Sequence, residues 1–180
     1  MKASALLFAA FATLAISHSA HAQSVERVTN VISGKLARAG SSNRQPYSDS
    51  ALQSLCQKGY TLAIYTYGGA RSRTVSCGGG RSIRYQSMTN WSHPSSIINA
   101  AEREMRNGGR VMIHCWYGVH ASNFVTSAIL GRVCNYSASK IENIFRRGIP
   151  RGSLAQSRID QLANDLHQYA NGGSVMGGCP

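Results

Sequence analysis

Acidic side chains are scarce in this sequence: seven Asp and Glu stand against 19 Lys and Arg in 180 residues, a formal charge of +12. Charged residues of both signs nevertheless make up only 14% of the chain, and hydrophobic residues 43%. That balance excludes a disordered chain, which combines low hydrophobicity with high charge. Proline is sparse too, at four residues, which excludes collagen-like and Pro-rich low-complexity segments. No repeat has the period of a solenoid or propeller, and the length fits one domain. There is no C-x-x-C and no His/Cys pairing at zinc-finger spacing, so no metal site is expected, and no cofactor. Neither a block of five consecutive charges nor a nucleic-acid motif with interleaved aromatics occurs. The cationic balance reads either as that of a generally cationic soluble protein or as a site for an anionic partner, without specific nucleic-acid recognition.

Long apolar runs are missing after residue 22. Before it, Met1-Lys2 supplies a positive start, and Ala3 to Ile16 is an apolar run too short for a bilayer span. Ala20-His21-Ala22 then has the small-x-small pattern of a secretory cleavage site. Residues 1–22 are expected to be a signal peptide, and the chain to be exported, periplasmic or secreted, with no membrane span after cleavage. Residues 23–34 read as an N-terminal segment, 35–171 as the folded domain and 172–180 as a Gly-rich tail. The oligomeric state stays open. Cys56, Cys77, Cys115, Cys134 and Cys179 all follow the cleavage site. Export favours disulfides, and an odd count leaves a thiol over or an intermolecular bridge.

Local patterning predicts the elements. A helix starts at Ser48, with Ala51, Leu52, Leu55 and Cys56 at helical spacing and Gly59 as its stop. Tyr60 to Tyr67 reads as a strand, and two short strands, 71–77 and 81–86, flank Gly78-Gly79-Gly80. Pro94 opens a helix in its first turn, running through Ile97, Ile98, Ala101 and Met105. Arg110 to His114 is a short apolar strand suited to a sheet centre. Cys115 to Ala121 is a loop, and Ser122 caps a helix reaching about Cys134. Helices from Ser137 and Ser153, the latter with Gln156 at capping-box spacing, end the chain. The order predicts an α/β domain, a central and mostly parallel sheet flanked by helices on both faces.

The chemistry is concentrated in residues 109–122. A buried strand ends in His114-Cys115, the loop Trp116-Tyr117-Gly118-Val119-His120-Ala121 follows, and Ser122 opens a helix. Backbone N–H groups of a tight loop and the positive end of a helix together form an anion cradle. A cysteine at the start of such a loop is drawn toward thiolate, and a thiolate beneath an anion nest is placed to attack phosphorus. Cys115 is thus the candidate nucleophile, and residues 116–121 are the candidate ligand-binding set. Trp116 and Tyr117 read either as walls for a ring-bearing ligand or as simple packing. His120 reads either as an exposed loop residue or as a phosphate ligand.

This stretch resembles the His-Cys-x-x-Gly-x-x-Arg-Ser/Thr loop of the cysteine-dependent protein tyrosine and dual-specificity phosphatases, with His114, Cys115, Gly118 and Ser122 in register. Lys35-Leu36-Ala37-Arg38, with the helix at Ser48 and the strand at Tyr60, is similar to the family's opening segment. Tyr136 to Arg146 and the helix from Ser153 are similar to its closing helices. The resemblance spans roughly residues 35–170. It implies a dual-specificity phosphatase type of fold and a catalytic Cys115. It further implies a Ser122 hydroxyl that stabilises the departing thiolate, and a His114 that supports the loop by hydrogen bonding.

Two positions depart from the family pattern. The loop arginine, which grips two phosphate oxygens, falls on Ala121, and losing such a charged partner typically costs about 2–5 kcal/mol. The general-acid aspartate has no counterpart, since residues 85–96 contain no acidic side chain. Asn90 is nearest in position, and His93 is the candidate replacement acid. The resulting expectation is an exported phosphatase-like protein, catalytically impaired, that binds an oxyanion or a phosphorylated ligand at the Cys115 loop. An active cysteine-dependent phosphatase with a compensated site and a cationic module for envelope polyanions stand as alternatives. With Cys115 in the loop, the other four cysteines have three possible pairings. Cys56–Cys77 with Cys134–Cys179 is favoured, the second tying the tail to the end of the loop helix.

Overall fold

The computed structural model describes residues 23–173 and 175–180, so the signal peptide expected over 1–22 lies outside the described residues. Strands β1 (Val25–Ile32), β2 (Leu36–Ser41), β3 (Leu62–Tyr65), β4 (Arg73–Gly78), β5 (Arg81–Ser87) and β6 (Val111–His114) form one sheet in the order β1-β2-β6-β3-β5-β4. β6 lies between β2 and β3 and is parallel to both, and β3 is parallel to β5. The two outer pairings are antiparallel. The central position expected for 110–114 follows from its burial, because all four β6 residues are covered on both faces.

Side-chain alternation divides the core into two layers. Leu36, Leu62, Ile64, Val111 and Ile113 face helices α2 (Ser95–Arg106), α3 (Ala121–Val133), α4 (Ala138–Arg147) and α5 (Gln156–Leu166). Ala37, Ala39, Ala63, Tyr65 and Met112 face α1 (Asp49–Gln57) together with Tyr47 and Tyr85. Helix α3 has no solvent face. Apart from Arg132 its residues are all buried, as befits a helix enclosed by a sheet and neighbouring helices. The disulfide Cys56–Cys77 ties α1 to β4, and Cys134–Cys179 ties the end of α3 to the tail. Cys115 is free and buried. Among the described residues no helix is long and apolar enough to cross a membrane.

Local details differ from the sequence expectations. Residues 25–32 form the edge strand β1, whose pairing slips twice, between Glu26 and Thr29 and between Asn30 and Ile32. Those irregularities break the period-two signal that would have marked it. Helix α3 begins at Ala121 with His120 as cap, so Ser122 sits inside the first turn. Pro94 is the cap of α2 rather than its first residue. Ala155 caps α5, while the Ser153 hydroxyl donates instead to the Pro150 carbonyl at 2.7 Å.

Candidate functional site

The Cys115 loop leaves the carboxyl end of β6 and is fastened to β2. The Cys115 amide donates to the Ala39 carbonyl at 3.2 Å, and the Ser41 amide to the Trp116 carbonyl at 3.1 Å. Two glycines permit this contact. A Cβ on Gly118, whose φ is +75°, would lie 2.7 Å from the backbone of Ala39 and Gly40; one on Gly40 would lie 2.9 Å from that of Tyr117. The next two carbonyls also face outward. Arg38 Nη1 donates to the Gly118 oxygen at 2.6 Å, and Arg27 Nη1 to the Tyr117 oxygen at 3.4 Å.

With the carbonyls of 116–118 held from the β1–β2 side, two polar groups meet the Cys115 sulfur. Gly118 N–H donates to Cys115 Sγ at 3.1 Å, and the Ser122 hydroxyl lies 3.2 Å from the same sulfur. The amides of Trp116, Tyr117, Val119, His120, Ala121 and Ser122 find no acceptor among the described residues. Backbone donors left without a protein acceptor at the start of a helix are ones that a solvent molecule or an anion can meet. Ala121, the residue in register with the family's arginine, is fully buried at the start of α3.

His114, expected to support the loop through hydrogen bonding, instead sits beneath it in an aromatic cage. Its ring stacks on Tyr47 at 3.6 Å between centroids, and its Nε2 lies 3.0 Å from the Tyr85 hydroxyl. The Nδ1 atom has no partner among the described residues. Burial pushes its pKa well below the ordinary value, so the ring is neutral. Tyr47 donates to the Gly40 carbonyl at 2.8 Å, so the cage reaches the loop through β2.

At the rim, the exposed Trp116 donates from Nε1 to the Tyr65 hydroxyl at 2.7 Å and lies against Tyr67. Burial, with the nearby Cys115 adding to it, pushes the Tyr67 phenol up to about 12, and burial raises Tyr65 as well. Both phenols are therefore neutral donors. Tyr117 lies under the guanidinium groups of Arg44 and Arg27, at 4.8 and 5.9 Å from its ring centroid. His120 is half-buried, which lowers its pKa, and its Nε2 lies 3.0 Å from the Ser153 hydroxyl. His93 is exposed on the segment between β5 and α2, and its ring nitrogen bonds within that segment, to Asn90 and Ser92.

The structure thus joins Cys115, Gly118 and Ser122 directly, with Trp116, Tyr117, His120 and Ala121 around them, and gives His93 no hydrogen bond to the loop. Residue patterning did not single out Arg27, Arg44 or the tyrosine cage. Arg38 stood within the opening segment of the resemblance without a role of its own.

No family model matches the chain, and no curated protein does so significantly. Solved structures do. Human DUSP28 superposes with a TM-score of 0.57 at 15% identity, over 78% of this chain and 93% of its own. Tk-PTP in its active form gives 0.55 at 16%, over 78% and 96%. TpbA of P. aeruginosa gives 0.52 at 12%, over 83% and 91%. The chain has the fold of the tyrosine and dual-specificity phosphatases. At these identities the likeness concerns the fold, and the chemistry rests on the loop itself.

Proposed function

We propose that this is an exported phosphatase-like protein that holds an oxyanion or a phosphorylated ligand over Cys115 and is impaired in phosphoester turnover. The observation that carries the reading is the loop with the carbonyls of 116–118 turned out, its amides other than those of Cys115 and Gly118 without an acceptor among the described residues, and its sulfur held by Gly118 and Ser122. Impairment follows from what stands around it. Ala121 supplies no guanidinium to the equatorial oxygens, and Arg38 is committed to the carbonyl side of the loop. Residues 85–96, which lead into α2, contain no aspartate, and the hydrogen bonds of His93 are local. The two disulfides and the expected leader support export.

The test compares wild type, Cys115→Ser and Ala121→Arg under conditions that keep Cys115 reduced. Inorganic phosphate is expected to slow alkylation of wild-type Cys115, while aryl phosphates turn over barely or not at all. Ala121→Arg is expected to tighten phosphate binding by about ten- to a hundredfold. Any turnover it restores must vanish when Cys115→Ser is added. Ordinary phosphatase rates in the wild type, or an unchanged phosphate affinity in Ala121→Arg, would refute the reading.

A further inference from the structure

Three consecutive carbonyls of the Cys115 loop are held from the β1–β2 side. The Ser41 amide holds that of Trp116, Arg27 that of Tyr117 and Arg38 that of Gly118. A trans peptide is planar and points its C=O and its N–H in opposite directions. The amides that share those peptides, of Tyr117, Gly118 and Val119, therefore point away from β1 and β2. The Gly118 amide meets the Cys115 sulfur at 3.1 Å, and the other two have no acceptor among the described residues.

Arg38 differs from the other two anchors. Its contact is the shortest, 2.6 Å against 3.1 Å and 3.4 Å, and it is charged. Arg38 is half-buried where Arg27 is exposed, and it pairs in register with Ile113 of β6, close to where the loop begins. It also lines a cavity of about 360 Å³ between the β1–β2 edge and helices α3 and α4, so its side chain has room elsewhere. The Gly118 carbonyl is nevertheless its one hydrogen-bond acceptor among the described residues. Burial pushes the Arg38 pKa down and a charge on Cys115 raises it, so guanidinium and sulfur sense each other. A cation on a carbonyl oxygen polarises the peptide and makes its N–H the stronger donor. Here that N–H is Val119's. We propose that Arg38 is a positioning residue of the Cys115 loop: it fixes and polarises the Gly118–Val119 peptide, and so supplies through the backbone positive potential that the side chain at 121 does not. The inference rests on the reading of this loop as an anion site.

The test compares wild type, Arg38→Met, Arg38→Lys and Arg81→Met, the last a matched charge loss at an exposed residue at the amino end of β5. Cys115 is alkylated with iodoacetate, an anion, and with iodoacetamide, its neutral counterpart. In Arg38→Met the iodoacetate rate should fall about five- to tenfold, while the iodoacetamide rate stays within about twofold. Phosphate protection of Cys115 should weaken about five- to tenfold in the same variant. The Val119 amide nitrogen resonance should move upfield, because its peptide carbonyl has lost a cationic donor. Arg38→Lys, which keeps the charge, should stay within about threefold of wild type in the iodoacetate rate and in phosphate protection. Arg81→Met should stay within about twofold. Melting temperatures confirm that each variant is folded. A merely structural role would change both reagents alike. Equal changes in the two rates, an unmoved Val119 resonance, or Arg38→Lys as low as Arg38→Met overturns the proposal. Absence of phosphate protection in the wild type would sink the loop reading, and the preference between the two reagents would still decide the part of Arg38.

Discussion

Gly118 carries more of the loop than its missing side chain suggests. Its amide meets the sulfur, its carbonyl meets Arg38, and its φ of +75° lies where a Cβ is strained. A methyl group there would also press on the backbone of β2, which cannot step aside without parting the sheet. Gly118→Ala is expected to cost about 2–4 kcal/mol in urea unfolding and to abolish phosphate protection of Cys115. His114 makes a different prediction. Folded, it stays neutral far below its ordinary value of 6.5; unfolded, it takes up a proton as pH falls through that value. Unfolding therefore binds a proton below about pH 6.5, and stability falls there by about 1.4 kcal/mol per pH unit. His120 shifts in the same direction, so His114→Gln should flatten that slope without abolishing it. Equal slopes for variant and wild type between about pH 5 and 7 would contradict the buried neutral ring.

At the scale of elements, the two disulfides close loops of unequal length. Cys56–Cys77 spans 21 residues and joins α1 to β4; Cys134–Cys179 spans 45 and holds the tail against the end of α3. In the chain-entropy picture these are worth about 3 and about 4 kcal/mol. Replacing both cysteines of the longer bridge by alanine should therefore lower the urea midpoint more than the same change at the shorter one. The tail does not depend on sulfur alone. Met176 is buried in the core and its amide donates to the Val133 carbonyl at 2.8 Å, so the tail should stay docked in the reduced protein at low temperature. Loss of Met176 protection from hydrogen exchange in the double alanine variant would show that the bridge alone held it.

For the whole molecule, the excess of positive charge is not spread as a neutral coat. Arg27 and Arg44 flank Tyr117 on the loop, and Arg38 lies between the loop and the neighbouring cavity. The carboxylates are spent elsewhere, with Glu102 and Glu104 on α2 and Glu142 on α4 all in ion pairs. The parallel centre of the sheet directs the carboxyl ends of β2, β3 and β6 to one edge, which is where an open α/β sheet presents ligands. The arginines at Tyr117 and the amides of the Cys115 loop consequently meet at that edge.

Much of this was legible in the sequence because it is local. The period of Ala51, Leu52, Leu55 and Cys56 marked α1, the apolar run before His114 marked the sheet centre, and the spacing from Cys115 to Ser122 marked the loop. Reserving Cys115 for that loop left three pairings of the other four cysteines, and the favoured one, Cys56–Cys77 with Cys134–Cys179, is the one the structure has. What the sequence did not show are relations across long separations. Arg38 meets a carbonyl 80 residues away and Arg27 one 90 residues away, and no local period encodes which strand lies beside which. Strand order brought β2 against β6, and with it the arginines, the tyrosine cage around His114 and the cavity beside α3. Local sequence determined the elements and the Cys115 loop, because backbone preference and side-chain period act over a few residues. Sheet register decided the surroundings of that loop, because hydrogen bonds between strands join residues that the chain itself keeps far apart.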